Sequence, residues 1–160
     1  MLNRIRSFLR RTASERFHLI WGLICRSHNG SRALETPATY RVTVGYTTVY
    51  AEAADTPAQR EMGLMNRTYL NEDAGMLFIF QTQQQQGFWM KNMRFPLDVV
   101  FITADKHVLE IYASVSPCTS DPCPLYTSSV PIQYALEVNA GFAARNGIAS
   151  GDPVVIVLVS

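Results

Sequence analysis

The sequence predicts a mainly β domain from about residue 38 to the C-terminus, and three features predict it. Eight or so short runs are rich in Val, Ile, Thr, Tyr and Phe. Turn clusters built on Gly, Pro, Asn and Asp separate them. Only two stretches carry helix signals, and both are short. So many strands in so small a domain argue for a sandwich or a partly closed barrel, because exposed sheet edges invite unwanted pairing.

The elements follow in order. Tyr40–Val44 and Thr47–Ala53 alternate about Gly45-Tyr46 and predict a strand pair. Thr56-Pro57-Ala58-Gln59 opens a short helix. Thr56 suits the cap, Pro57 the first helical position and Gln59 the return half of a capping box, while Gly63 stops the helix. Two turns of helix need packing to hold them, and Met62, Leu64 and Met65 are the expected anchors. Met76–Phe80 is apolar on both faces, as a central, doubly covered strand would be. Gln81–Gln86 reads as a polar loop. Gly87–Met93 and Leu97–Ile102 predict two strands across Arg94-Phe95-Pro96, with Asn92 opposite Asp98 if Met93 pairs with Leu97. Ala104-Asp105-Lys106 turns into a strand over Val108–Val115. After a Pro- and Cys-containing loop over 116–131, Ile132, Tyr134, Leu136 and Val138 predict a strand with one buried face. Asn139 is the expected cap of the second helix, ended by Gly147. Val154–Val159 is the expected final buried strand.

The 160 residues fit one domain, and 48% hydrophobic against 17% charged residues supports a packed core. A net charge of +1 argues against nucleic acid or a membrane as a whole-molecule electrostatic partner. The charge is unevenly spread. Up to Leu34 seven arginines face Glu15 alone, while the remainder is acidic. Residues 1–37 therefore read as a basic leader and linker, and 38–160 as the domain. The apolar run Phe17–Cys25 is too short to span a bilayer. Export to the cell envelope is the leading expectation, with peripheral membrane attachment through residues 1–25. Organelle targeting, or an unstructured tail or misplaced start on a cytoplasmic protein, are the alternatives.

Five ordered blocks then carry a resemblance: Arg60–Arg67 (REMGLMNR), Gly75–Phe80 (GMLFIF), Phe88–Asn92 (FWMKN), Pro96-Leu97-Asp98 and Leu136–Gly141 (LEVNAG). They resemble the domain of unknown function 192 family over roughly residues 40–159. Gly147-Ile148 and Gly151-Asp152 match its closing pattern. The resemblance implies a jelly-roll-like β-sandwich and strengthens the export expectation. It implies no reaction.

Arg60, Arg67, Lys91, Asn92, Asp98 and Glu137 lie in or beside apolar motifs, where a charge is costly unless paired. With Trp89 as a stacking platform they are expected to form a polar pocket for a small polar ligand, a glycan or an envelope protein. The competing expectation is a structural network of ion pairs. A hydrolytic pair of Asp98 and Glu137 is the enzymatic alternative. Met62, Met65, Met76, Met90 and Met93 beside Trp89 raise Cu(I) binding, against ordinary core packing. Cys118 and Cys123 are close enough in sequence for a disulfide in an exported protein, with free thiols as the alternative. His18, His28 and His107 show no spacing that would complete a zinc site with them. There is no P-loop, dinucleotide fingerprint or HExxH helix, so neither a metal nor a cofactor is expected.

Overall fold

The structure, a computed structural model, describes residues 37–159. The leader and its targeting readings fall outside the described residues. Nine strands and two helices follow in the order β1 (Thr39–Val44), β2 (Thr47–Ala54), α1 (Pro57–Met62), β3 (Ala74–Gln84), β4 (Gly87–Phe88), β5 (Leu97–Ile102), β6 (Val108–Val115), β7 (Tyr126–Thr127), β8 (Ile132–Asn139), α2 (Phe142–Arg145) and β9 (Val154–Leu158). Seven of the strands form one mixed sheet in the order β6-β5-β8-β3-β2-β1-β9, and β4 and β7 make a separate ribbon. β2 and β3 run parallel, joined through α1, while the other pairings in the sheet are antiparallel. The all-β class and the two short helices stand as the sequence predicts.

The large sheet is not a closed barrel. Its two edge strands touch at one end, where Val154 donates to the Lys106 carbonyl at 2.8 Å and Val108 to the Asp152 carbonyl at 2.9 Å. β3 occupies the middle of the sheet, and its side chains supply both faces. Leu77 joins Val42, Val100 and Leu136 in one core cluster. Met76, Phe78 and Phe80 join Val99, Phe101 and Ala135 in the other. That division is the period-2 pleat written into a strand covered on both sides.

The second face carries the site. A series of rings, edge-on except for the tilted Phe88–Phe101 pair, fastens the β4–β7 ribbon across it. Phe78 of β3 meets Phe88 of β4 at 4.9 Å, and Phe88 meets Phe101 of β5 at 5.4 Å. Phe101 then meets Tyr112 of β6 at 5.7 Å, and Tyr112 meets Tyr126 of β7 at 5.4 Å. Such pairs contribute about 0.5–1.5 kcal/mol each beyond area burial.

α1 begins and ends as the sequence predicts. Thr56 Oγ1 accepts from the Gln59 N–H at 3.3 Å, and Gln59 Oε1 accepts from the Thr56 N–H at 3.0 Å. Gly63 closes the helix at φ 49°, a conformation that suits glycine. The anchors differ from expectation. α1 itself buries no residue; Leu64 is buried just beyond it, and Met62 is 58% exposed.

Other segments depart from the sequence reading for identifiable reasons. Gln81–Gln84 extend β3 instead of looping. The expected strand over 87–93 is only two residues long, because β4 pairs with β7 and the chain then turns at Asn92 (φ 58°). β5 pairs with β6 and β8, so Asn92 never faces Asp98. β8 is covered on both faces, with Ala135, Leu136, Glu137 and Val138 all buried. β9 is an edge strand with Val155 and Val157 exposed, not a buried one. Asn139 ends β8 and donates to the carbonyls of Leu70 and Asn71, leaving the cap of α2 to another residue.

Candidate functional site

A cavity of about 270 Å³ opens on the second face of the sheet. α1 and the Gly63–Met65 turn form one wall, Phe78 and Phe80 of β3 line the sheet side, and residues 86–89 with Met93 form the opposite wall. The capping box fixes α1. Arg60 Nη1 ties the helix to the sheet by donating to the carbonyls of Asp55 at 2.6 Å and Ile79 at 2.9 Å. The Arg60 guanidinium also lies 5.4 Å from the centre of the Phe80 ring.

Glu137 reaches this cavity from β8, between Met76 of β3 and Val99 of β5. It is only 5% exposed, and its Oε2 atom has no hydrogen-bond partner. Burial pushes its carboxyl up to about 8, because the charged form has lost its hydration. A mid-strand carboxyl has nowhere to turn for a donor, since the neighbouring backbone N–H groups are engaged in the ladders.

Gln86 lines the same cavity, and its Nε2 atom is likewise buried without a partner. Its backbone is clamped to Ser128: the Gln86 N–H donates to Ser128 Oγ at 3.1 Å, and the Ser128 N–H donates to the Gln86 carbonyl at 2.9 Å. Gln85 Nε2 adds bonds to the carbonyls of Ser128 and Ser129. Trp89, 47% exposed, lines the cavity with Met62, Met65 and Met93.

The expected polar residues do not converge. Arg60, Trp89 and Glu137 share this cavity. Lys91 and Asn92 line a separate hollow of about 190 Å³ beside the Cys118–Cys123 loop. Lys91 Nζ bonds both carboxylate oxygens of Asp121, at 3.0 and 3.1 Å, and lies 5.7 Å from the Trp89 ring centre. Asn92 Nδ2 points to Met65 Sδ at 3.9 Å. The two cysteines are joined as a disulfide, with their Cα atoms 5.6 Å apart. Arg67 holds Glu52 through two bonds, at 2.6 and 2.7 Å. That pairing lowers the Glu52 carboxyl and raises the Arg67 guanidinium.

Asp98 is structural. It is fully buried and accepts three backbone N–H bonds, from Ser114 at 2.7 Å, Gly141 at 2.9 Å and Ala143 at 2.9 Å. It therefore caps α2 from a neighbouring strand, doing what the sequence assigned to Asn139. The hydrolytic pair fails on the same geometry. Val99 pairs with Glu137 and shares the second-face core, so Asp98, next in sequence, points to the opposite face. Met76 and Met90 are core residues, 5% and 2% exposed, so only part of the methionine set surrounds Trp89.

Sequence reasoning missed Gln86, Glu52 and Asp121. Gln86 lies in a run of glutamines where nothing local marks one as buried. Asp121 shares its loop with the cysteines, and that proximity was the available signal. Among the described residues no group of three or more His, Cys, Asp or Glu could hold a metal ion. No helix there is long and apolar enough to cross a membrane.

Among the solved structures that resemble this one are two at 35% identity. The first is from Sinorhizobium meliloti 1021 and provisionally titled a transcription regulator. It is 35% identical with a TM-score of 0.70, covering 76% of this chain and 95% of its own. The second, a protein of unknown function from Novosphingobium aromaticivorans DSM 12444, is 35% identical with a TM-score of 0.68, covering 72% of this chain and 83% of its own. No curated protein sequence matches. A family model described as "Uncharacterized ACR" matches residues 40–156, and the chain belongs to that family, domain of unknown function 192.

Proposed function

We propose that this domain is a non-enzymatic binding module that takes a small molecule with an apolar body and one polar head into the Glu137 cavity. One observation carries the reading. Glu137 and Gln86 line one cavity, and Oε2 of the one and Nε2 of the other are buried without a partner. An unsatisfied buried polar atom costs about 1–3 kcal/mol, and a ligand head reaching both atoms would recover that cost. The walls of Phe, Met and Trp side chains suit an apolar body. The Cys118–Cys123 bridge supports an oxidising compartment, in keeping with a module of the cell envelope.

A fragment library screened by amide NMR tests this. Ligands should shift the Gln86 side-chain amide and the Trp89 indole signals together. A library that leaves both unmoved removes the cavity from consideration.

A second reading is favoured by one further observation. Met62, Met65 and Met93 flank the cavity with Trp89, and the exposure of Met62 is not that of a core packer. Thioethers and a ring face suit Cu(I). With Trp21 replaced by Phe, Cu(I) should quench Trp89 fluorescence, and M62A with M93A should abolish the effect. Unchanged fluorescence removes copper.

A further inference from the structure

We propose that the head group received by the cavity is a hydrogen-bond acceptor, a carbonyl or carboxylate oxygen, and not an ammonium. The inference rests on the binding reading above and names its ligand class.

Three polar groups on the cavity wall decide the sign. The unpartnered atom of Gln86 is Nε2, which can only donate. Arg60 is a donor without acceptor capacity, and its two bonds to backbone carbonyls both use Nη1. Glu137 accepts when ionised and donates when protonated, so its state chooses the complement. The groups around it do little to ionise it. Met76 and Val99, its partners on β3 and β5, carry no charge. From α1 the cavity receives Arg60 and Glu61, which oppose each other in sign. On the same face beyond Met76, Glu52 is neutralised by Arg67. Burial then dominates and keeps the carboxyl in its neutral, donating form near neutral pH. Arg60, Gln86 and Glu137 thus all bring donors to the cavity lining. An ammonium head has no lone pair for Gln86 Nε2 and would leave that donor unpartnered. A carbonyl oxygen accepts from Gln86 and Glu137 together, and a carboxylate could also use Arg60.

Matched probes on one ring separate these outcomes: cyclohexanone, cyclohexanecarboxylate and cyclohexylamine, titrated at pH 6 and pH 9 and followed by the Gln86 side-chain amide signal. Cyclohexanone or the carboxylate should bind at pH 6 at least about tenfold more tightly than the amine, a difference of about 1.4 kcal/mol. Ketone affinity should fall at pH 9, where Glu137 no longer donates. Which of the two acceptors binds more tightly reports whether Arg60 takes part. Q86L, followed by the Trp89 indole signal because it has no Gln86 amide, and E137L should each weaken the ketone about tenfold, and urea melts on the same samples verify that both variants are folded. Preferential binding of cyclohexylamine at pH 6 overturns the inference while leaving the binding module intact. Silence from all three probes overturns the cavity reading itself, and this one with it.

Discussion

Glu137→Gln isolates the one ionisable group that, among the described residues, is buried without a partner, and its effect on stability has a calculable pH dependence. The carboxyl moves from an ordinary 4.5 to about 8 on folding. Below pH 4.5 it is protonated in native and unfolded chains alike and contributes no difference. Between pH 4.5 and 8 the unfolded chain ionises while the native one keeps its proton. Stability therefore falls as pH rises, by about 1.4 kcal/mol per pH unit, and the loss is complete above pH 8. Integrated over that interval the ceiling is roughly 5 kcal/mol, and relaxation with water entering the adjoining cavity brings it to about 2–4 kcal/mol. Urea denaturation of wild type and E137Q at intervals from pH 4.5 to 9 measures it. The wild-type midpoint should slide downward with rising pH. E137Q should show a much flatter profile and overtake wild type by pH 8. Glu52 does not blur the comparison: its lowered carboxyl stabilises the fold above pH 4.5, and that contribution is lost only as pH falls through its native value. Parallel profiles for the two proteins would refute the argument, for they would mean that Glu137 finds a donor or water in solution.

Three further substitutions probe how the site is held. Asp98→Ala strands the N–H groups of Ser114, Gly141 and Ala143, so it should cost about 3–5 kcal/mol in urea melts. D98N should recover part of that, and a loss under about 1 kcal/mol for D98A would show that the cap is dispensable. Gly75→Ala places a methyl 2.7 Å from the Glu137 carbonyl oxygen and 3.0 Å from Val49 Cγ1. It should cost about 1–3 kcal/mol or more and disturb the Glu137 side chain, read as a shifted carboxyl titration by NMR. Replacing Cys118 and Cys123 by Ser opens a short loop and should lower stability by about 2 kcal/mol. Because Asp121 in that loop holds Lys91 beside Trp89, the Trp89 emission should change as well, and an unaltered spectrum would uncouple the loop from the cavity wall.

Glu137 and Asp98 show how far the sequence could be read. Strand periods, the Thr56–Gln59 box and the Gly63 stop depend on neighbours within a few residues, so most elements were legible, though not the bounds of β3 and β4 or the short β7. The placement of the acids was not. Each lies in an apolar run, and both read as charges needing partners. Their fates diverge through side-chain length and position along the strand. Asp98, second residue of β5, lies where the chain at Ser114 and the start of α2 leaves N–H groups free, and its short arm meets three of them. Glu137 sits inside β8, where both flanking strands already use the backbone donors, and it points to the other face. Local pattern contains neither fact.

The glutamine run makes the same point from the opposite direction. Gln81 to Gln85 are exposed, while Gln86 turns inward because Ser128, 42 residues away, grips its backbone. A fold that merely tolerated one buried orphan acid could be storing a folding defect. This one has an orphan amide donor lining the same cavity and uses a buried serine to hold its backbone there. Two unpartnered polar atoms gathered into one apolar concavity, each fixed by elements whose own hydrogen bonds are satisfied, are what a receptor for a polar head group requires. A packing flaw would leave its orphans scattered, and replacing either residue by Leu would then stabilise the domain and leave every probe's affinity unchanged.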